Sequence, residues 1–184
     1  MLGILALVVV LVALFGVSIY NRLIRLRNGT DNAFASIDVQ LKQRCDLVPR
    51  VVDTVRGYMT HERNVLEKLT ELRMRASGGD AGPAERMALD GQMSGLLRGI
   101  IARAEAYPDL KASQTVVGLQ RTLNEVEAQI AAARRTYNAA VTAYNTAIDS
   151  VPANLVASPL GFTRRPLFEA AEADRAVPDV GSLA

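Results

Sequence analysis

The chain has 184 residues but only one cysteine, one histidine and no tryptophan. A lone Cys45 cannot close an intramolecular disulfide, so the fold does not rely on oxidation and is compatible with a reducing compartment. With His61 as the sole imidazole, a His/Cys metal site would have to be completed by several carboxylates, which speaks against structural zinc. His61-Glu62 opens the zinc-protease spelling, yet residue 65 is valine where a second histidine is required. "SGG" and "SGLLRG" hold serine and glycine but neither a nucleophile elbow nor a Ser-x-x-Lys arrangement. Gly78, Gly79 and Gly82 are not followed by the Gly-Lys-Ser/Thr of a phosphate loop. Four Phe and five Tyr in an alanine- and leucine-rich chain suit helices better than a β-sandwich. A balance of 21 basic against 19 acidic residues leaves +2, too little to gather nucleic acid or an acidic substrate. Together these absences disfavour an enzyme, a cofactor, a metal site and a nucleic-acid partner.

One long apolar run is present. Leu2 to Tyr20, "LGILALVVVLVALFGVSIY", carries no charge and at the helical rise reaches ~28 Å, close to a hydrocarbon core. No Lys or Arg precedes it and no clear small-x-small cleavage site follows, which favours an uncleaved anchor over a signal peptide. Arg22, Arg25 and Arg27 flank its C-terminal end, so the positive-inside rule places the bulk of the chain in the cytoplasm; a signal-anchor with a periplasmic body is the alternative. The same arginines suit anionic lipid headgroups.

Beyond the anchor the apolar residues step by three and four. From Asp31 to Ala76 the seam runs through Phe34, Ile37, Leu41, Cys45, Val48, Val52, Val55, Met59, Leu66 and Leu69, the mark of an amphipathic helix. Glu62 and Arg73 interrupt the seam in register, and Pro49 predicts a bend near Val48. "SGGDAGP", residues 77–83, reads as a loop with Pro83 placed for the next first turn. A second helix over about Ala84 to Ala106 ends at "AYPDL", where Pro108 biases Tyr107 away from helical angles. The most regular helix follows, from Val116 to Ala147.

That helix repeats the pair Tyr-Asn seven residues apart, at Tyr137/Asn138 and Tyr144/Asn145. Both tyrosines hold the heptad position of Val116, Leu123 and Ile130, and both asparagines fall ~100° around at the seam border. Packing accounts for the spacing without a ligand, the asparagines bonding to a neighbouring element. Three such helices can form an antiparallel bundle, and their sustained heptads also permit pairing between chains. Charges of alternating sign, Lys42, Arg44, Asp46, Arg50, Asp53 and Arg56, read as a solvated face, with Arg44 and Asp46 beside Pro49, and Glu62 in its apolar register, as candidates for buried contacts that fix helix alignment. Four of seven prolines lie after Asp149, which argues against a further long helix there; Leu155, Phe162 and Phe168 are candidates to tuck this segment onto the bundle, and the acidic end from Glu169 is expected to be mobile.

"YNRLIRLRN" after a single span, "SIDVQLKQRCDLVPRVVDTVRGYMTHE", "EAYPDLKAS", "TLNEVEAQIAAARRTYNAAVTAYNTAI" and "VPANLVASPLGF" together resemble the LemA family of bacterial membrane proteins, from about Tyr20 to Phe168. The resemblance implies an all-α protein: a transmembrane helix, then an elongated antiparallel helical bundle with a very long first helix. It implies no catalytic activity and no cofactor, and some relatives are associated with membrane organisation, including magnetosome membranes. The family-motif positions are Asp38, Arg44, Asp46, Pro49, Glu62, Tyr107, Pro108, Glu127, Arg134, Tyr137, Asn138, Tyr144 and Asn145. Arg50 departs from the Asn usual after that proline and Val151 from the aromatic residue usual before Pro152.

The expected organisation is an anchor at residues 1–21, a bundle at 22–148 and a Pro-rich segment at 149–184, partly packed and then mobile. The expected function is a non-enzymatic scaffold or adaptor at the bacterial inner membrane, with the lipid bilayer, further copies of the chain or other proteins as partners. A sensor with a polar crevice near Glu62, Arg134 and the two asparagines is the alternative, as is a membrane-organising role.

Overall fold

The computed structural model describes residues 1–78 and 82–168, and the expected mobile end from Glu169 lies outside the described residues. Among them the regular structure is entirely helical. Helix α1 spans Leu2–Val55, and a single 3-10 turn at Thr60–Glu62 leads into α2, Arg63–Ser77. Next come α3 at Pro83–Ala104, the short α4 at Pro108–Ala112, α5 at Gln114–Asp149 and the short α6 at Ala153–Ala157. The all-α fold and the very long first helix both match the expectation.

Pro49 does not divide α1, which continues unbroken to Val55. The interruption falls seven residues later, at Arg56 to Glu62, so the seam expected to run straight from Asp31 to Ala76 belongs to two helices. Gly57 is the cause visible in the sequence: it has poor helix propensity and follows Val51, Val52, Thr54 and Val55, four β-branched residues that are themselves weakly helical. The chain turns there through bonds from Tyr58 N–H and Met59 N–H to the Val55 carbonyl, at 3.0 and 2.9 Å. Pro83 does occupy the first turn of α3, with Glu85 beside it where an acidic side chain meets the positive helix end. Pro108 likewise opens α4, whose Leu110 is fully buried.

Two compact units divide the described residues: Met1–Val39 with Ile130–Leu167, and Gln40–Gln129 with Phe168. In the first, Leu23 shares an apolar cluster with Tyr144 and Ile148. Phe34 meets Tyr137 edge to face at 5.8 Å, so α1 and α5 run antiparallel here. Ala157 and Phe162 complete the cluster. Phe162 is placed there by a helix-ending motif in which its N–H bonds the Ala157 carbonyl at 3.0 Å and Gly161 N–H bonds Ser158 at 3.2 Å. The motif needs a left-handed residue, and Gly161 supplies it with φ of 74°. Phe162 and Phe168 are buried as expected, but Leu155 is 72% exposed, because on so short a helix Ala153 and Ala157 take the inward side.

In the second unit the buried residues Leu41, Cys45, Val48, Val51 and Val55 continue the α1 seam. Facing them are Leu66, Leu69 and Leu72 of α2, and Leu89, Met93, Leu97 and Ile100 of α3. Val51, Ile100 and Leu123 line one internal gap, where α1, α3 and α5 meet. Burying these faces is what makes amphipathic helices stable, since isolated helices are marginal in water.

Candidate functional site

The polar groups brought together by the fold form two clusters, one in each unit. In the second unit Arg44 is 2% exposed, and its guanidinium donates to Asp90 and Ser94 of α3 and to Glu127 of α5. Asp90 is itself 1% exposed. Glu127 accepts a second bond, from Arg98 Nη2 at 3.1 Å. A guanidinium presents its donors in a fixed planar fork, so one arginine can tie three helices at once. The sequence reading singled out Arg44 and Glu127 but missed Asp90 and Ser94. Each lies one residue after a seam residue, Leu89 and Met93, and they sit four apart with Arg98 continuing the row. The border rule applied to the asparagines of α5 would have found them.

Asp46 does not share in this cluster and is exposed. Glu62 is 24% exposed and pairs with Arg103 at 3.7 Å, so it borders the seam instead of occupying it. Tyr107, half-buried in extended backbone, holds the entry to α4 through its N–H bond to Ala104 at 3.1 Å.

Pro49 acts through Arg73. A proline has no N–H, so the carbonyl four residues earlier, that of Cys45, is left without its helical donor. Arg73 Nε of α2 bonds that carbonyl at 3.0 Å. The proline within the α1 seam and the arginine that interrupts the α2 seam are therefore parts of one interaction, which pins α2 to α1. Replacing Arg73 with methionine is expected to lower stability by about 1–3 kcal/mol through an orphaned carbonyl. Adding Pro49→Ala, which restores the missing N–H, should return part of the loss in chemical unfolding of the full-length protein. No recovery in the double variant would refute this pairing.

The first unit contains the repeated Tyr-Asn pairs, and here they clasp a strap of chain without regular structure, Thr163 to Leu167. Tyr137 Oη donates to the Pro166 carbonyl at 3.1 Å. Asn145 donates through Nδ2 to the Arg165 carbonyl and accepts from Arg165 N–H, both at 2.9 Å. Arg165 lies over the Tyr144 ring at 5.8 Å and donates to Thr30 and to Asp31 Oδ1, the latter at 2.5 Å. Burial raises the Tyr137 pKa above 10.0 and outweighs the lowering by Arg165, so the phenol keeps the proton it donates. Asp38, Arg134 and Asn138 are half-buried in the same unit and all three are engaged in polar or electrostatic contacts. Asn145→Ala should release the strap at a local cost of about 1–3 kcal/mol, read as faster tryptic cleavage of the Arg164–Arg165 bond. An unchanged cleavage rate would contradict the clasp.

These clusters hold helices; neither has the layout of a reacting centre. Ser94 lies beside the Arg44 guanidinium, a donor and not a base, and the neighbouring carboxylate is committed to that same guanidinium. Burial raises the Cys45 thiol pKa above 9.0, the largest influence on it, which keeps the poorly nucleophilic protonated form. Among the described residues no group of three or more His, Cys, Asp or Glu is placed to hold a metal ion. Of the residues expected around a polar crevice, Glu62 belongs to the second unit and Arg134, Asn138 and Asn145 to the first, where the strap occupies the Asn145 amide.

Outside both clusters, the apolar start of α1 is long enough to cross a membrane, and none of its most apolar window is buried. Arg22, Arg25 and Arg27 stand exposed just past it. By length and composition this segment is a candidate membrane span on an otherwise helical protein. A family model described as "LemA family" matches residues 33–181, and the chain belongs to that family, which is not one of known enzymes. It is 29% identical over 163 residues to Protein LemA of Metamycoplasma hominis, covering 89% of this chain and 74% of that protein. It is 25% identical over 175 residues to Magnetosome protein MamQ 2 of Paramagnetospirillum magneticum, covering 82% of this chain and 64% of that one. Against Magnetosome protein MamQ of Magnetospirillum gryphiswaldense the identity is 31% over 91 residues, 49% of this chain and 34% of the relative. The chain thus spans less than two thirds of both magnetosome proteins.

Proposed function

We propose that this LemA-family protein is a non-enzymatic scaffold or adaptor, anchored by its first helix in the bacterial inner membrane, with its bundle in the cytoplasm. The observation that carries the reading is the exposure of every large apolar side chain from Leu2 to Phe15, on a helix that continues directly into the bundle. Water is a poor solvent for that surface, and a bilayer is the environment that buries it. The one-sided arginine flank supports cytoplasmic placement. Polar groups committed to internal contacts support a role in holding and presenting helices, through copies of the chain or protein partners. The magnetosome proteins among its relatives support the membrane-organising form of this reading.

Fractionation of expressing cells tests the anchor: the full-length chain should resist alkaline carbonate extraction, and a variant lacking residues 2–20 should be found in the soluble fraction. Crosslinking and blue-native electrophoresis of the same membranes should show assemblies larger than one chain. Carbonate-extractable full-length protein would overturn the anchor, and a strictly monomeric species without partners would overturn the scaffold.

A further inference from the structure

The cap of the first unit, residues 150–162, carries an apolar surface that its core does not use. Val151 is 79% exposed, Leu155 72% and Leu160 52%, while Ala153, Ala157 and Phe162 turn inward. Isolated exposed apolar residues are ordinary, but three within ten residues on one short cap are a concentration that calls for an occupant.

The cap's place in the fold identifies that occupant. Phe162 meets Tyr20 edge to face at 5.8 Å, and Ile19 packs against the same cluster. Tyr20 is the last residue of the uncharged run, and Arg22 follows within about 3 Å of helix rise. A tyrosine at that position belongs to the headgroup boundary, where aromatic rings with one wet end collect. A cap fastened to Ile19 and Tyr20 is therefore held at the same depth. Charge agrees with this: residues 150–168 contain no Asp or Glu, Arg22 and Arg25 are exposed on α1 just past Tyr20, and the exposed Arg164 follows the cap, where it pairs with Asp149 at 3.1 Å. Apolar side chains rimmed by basic ones are the composition of surfaces that lie in a bilayer interface.

We infer that the cap is a second membrane contact: Val151, Leu155 and Leu160 enter the headgroup and upper acyl region of the leaflet into which α1 emerges. The inference rests on the membrane-anchored reading. Two attachments, one spanning and one interfacial, restrain how the first unit tilts against the bilayer, which a single helix cannot do. The Gly161 motif then has a second effect, since the turn that seats Phe162 in the core also sets where Leu160 projects.

The test uses the full chain in anionic liposomes, in a Cys45→Ala background. Single cysteines at Leu155→Cys, Leu160→Cys, Val10→Cys and Val39→Cys each carry an environment-sensitive fluorophore. Val10 lies in the apolar run, and Val39 lies nineteen residues beyond Tyr20 on α1, roughly 28 Å away along the helix. Labels at 155 and 160 should emit at shorter wavelength than the label at 39 and lose intensity to a spin label placed in the shallow acyl region. The label at 10 should be quenched from the bilayer centre. Quenching at 10 with water-like emission at 155 and 160 overturns the cap contact and leaves the anchor standing. Water-like emission at 10 overturns both.

Discussion

Replacing Arg44 with methionine is expected to destabilise the second unit by about 3–5 kcal/mol, the range for breaking a buried ion pair by removing one partner. Methionine fills much of the space, so the loss comes mainly from charge. The Asp90 carboxylate, almost without access to water, would lose the guanidinium that neutralises it, and Ser94 would lose a donor. Glu127 would suffer less, because it is 40% exposed and keeps Arg98 at 3.1 Å. The asymmetry sets a second expectation. Adding Asp90→Asn to Arg44→Met removes the uncompensated charge and should recover much of the loss, whereas Glu127→Gln added to Arg44→Met should recover little. Arg44→Lys should fall between parent and Arg44→Met, since a single ammonium cannot span acceptors on two helices as a planar fork does. Chemical unfolding of the full-length protein in detergent micelles, followed by circular dichroism, reads all four variants. A loss below about 1 kcal/mol for Arg44→Met, the level of a surface pair, would refute the buried role.

The residues that proved most structural were those that disturbed the pattern. Periodicity located the helices because burying a face is what stabilises them, and Tyr137, Tyr144, Leu123 and Ile130 are all buried as their shared heptad position requires. Periodicity was blind to Gly57, because a helix break need not disturb register: Val55, Met59 and Leu66 stay buried on both sides of it. Pro49 was legible as a local defect. Its repair was not, because the Cys45 carbonyl finds its donor 28 residues away, at Arg73, and no local rule couples those positions. Arg44 showed the same limit, with its charge legible and its partners on α3 and α5 supplied only by tertiary packing. The asparagines of α5 fell between: their border position was readable, but the strap that Asn145 holds, at Arg165, was not.

Tyr144→Ala is expected to destabilise the first unit by about 3–5 kcal/mol, as large-to-small changes of buried aromatic residues do. Tyr144 is among the largest fully buried side chains, packed with Leu23, Ile148 and Phe162. Its loss removes the common wall of the cluster and the ring beneath the Arg165 guanidinium, so the strap loosens along with the core. Tyr137 occupies the same heptad position one repeat earlier, yet removing only its hydroxyl, in Tyr137→Phe, should cost about 1 kcal/mol, the worth of its bond to Pro166. The ring of Tyr137 would still meet Phe34. Two tyrosines that look equivalent in sequence are thus expected to separate clearly in chemical unfolding, with tryptic cleavage at Arg164 accelerated strongly by Tyr144→Ala and weakly by Tyr137→Phe. The ordering follows from what each side chain holds, a core wall in one case and a single strap bond in the other. Equal effects, or a reversed order, would mean that the strap and not the apolar cluster is the main support of the first unit.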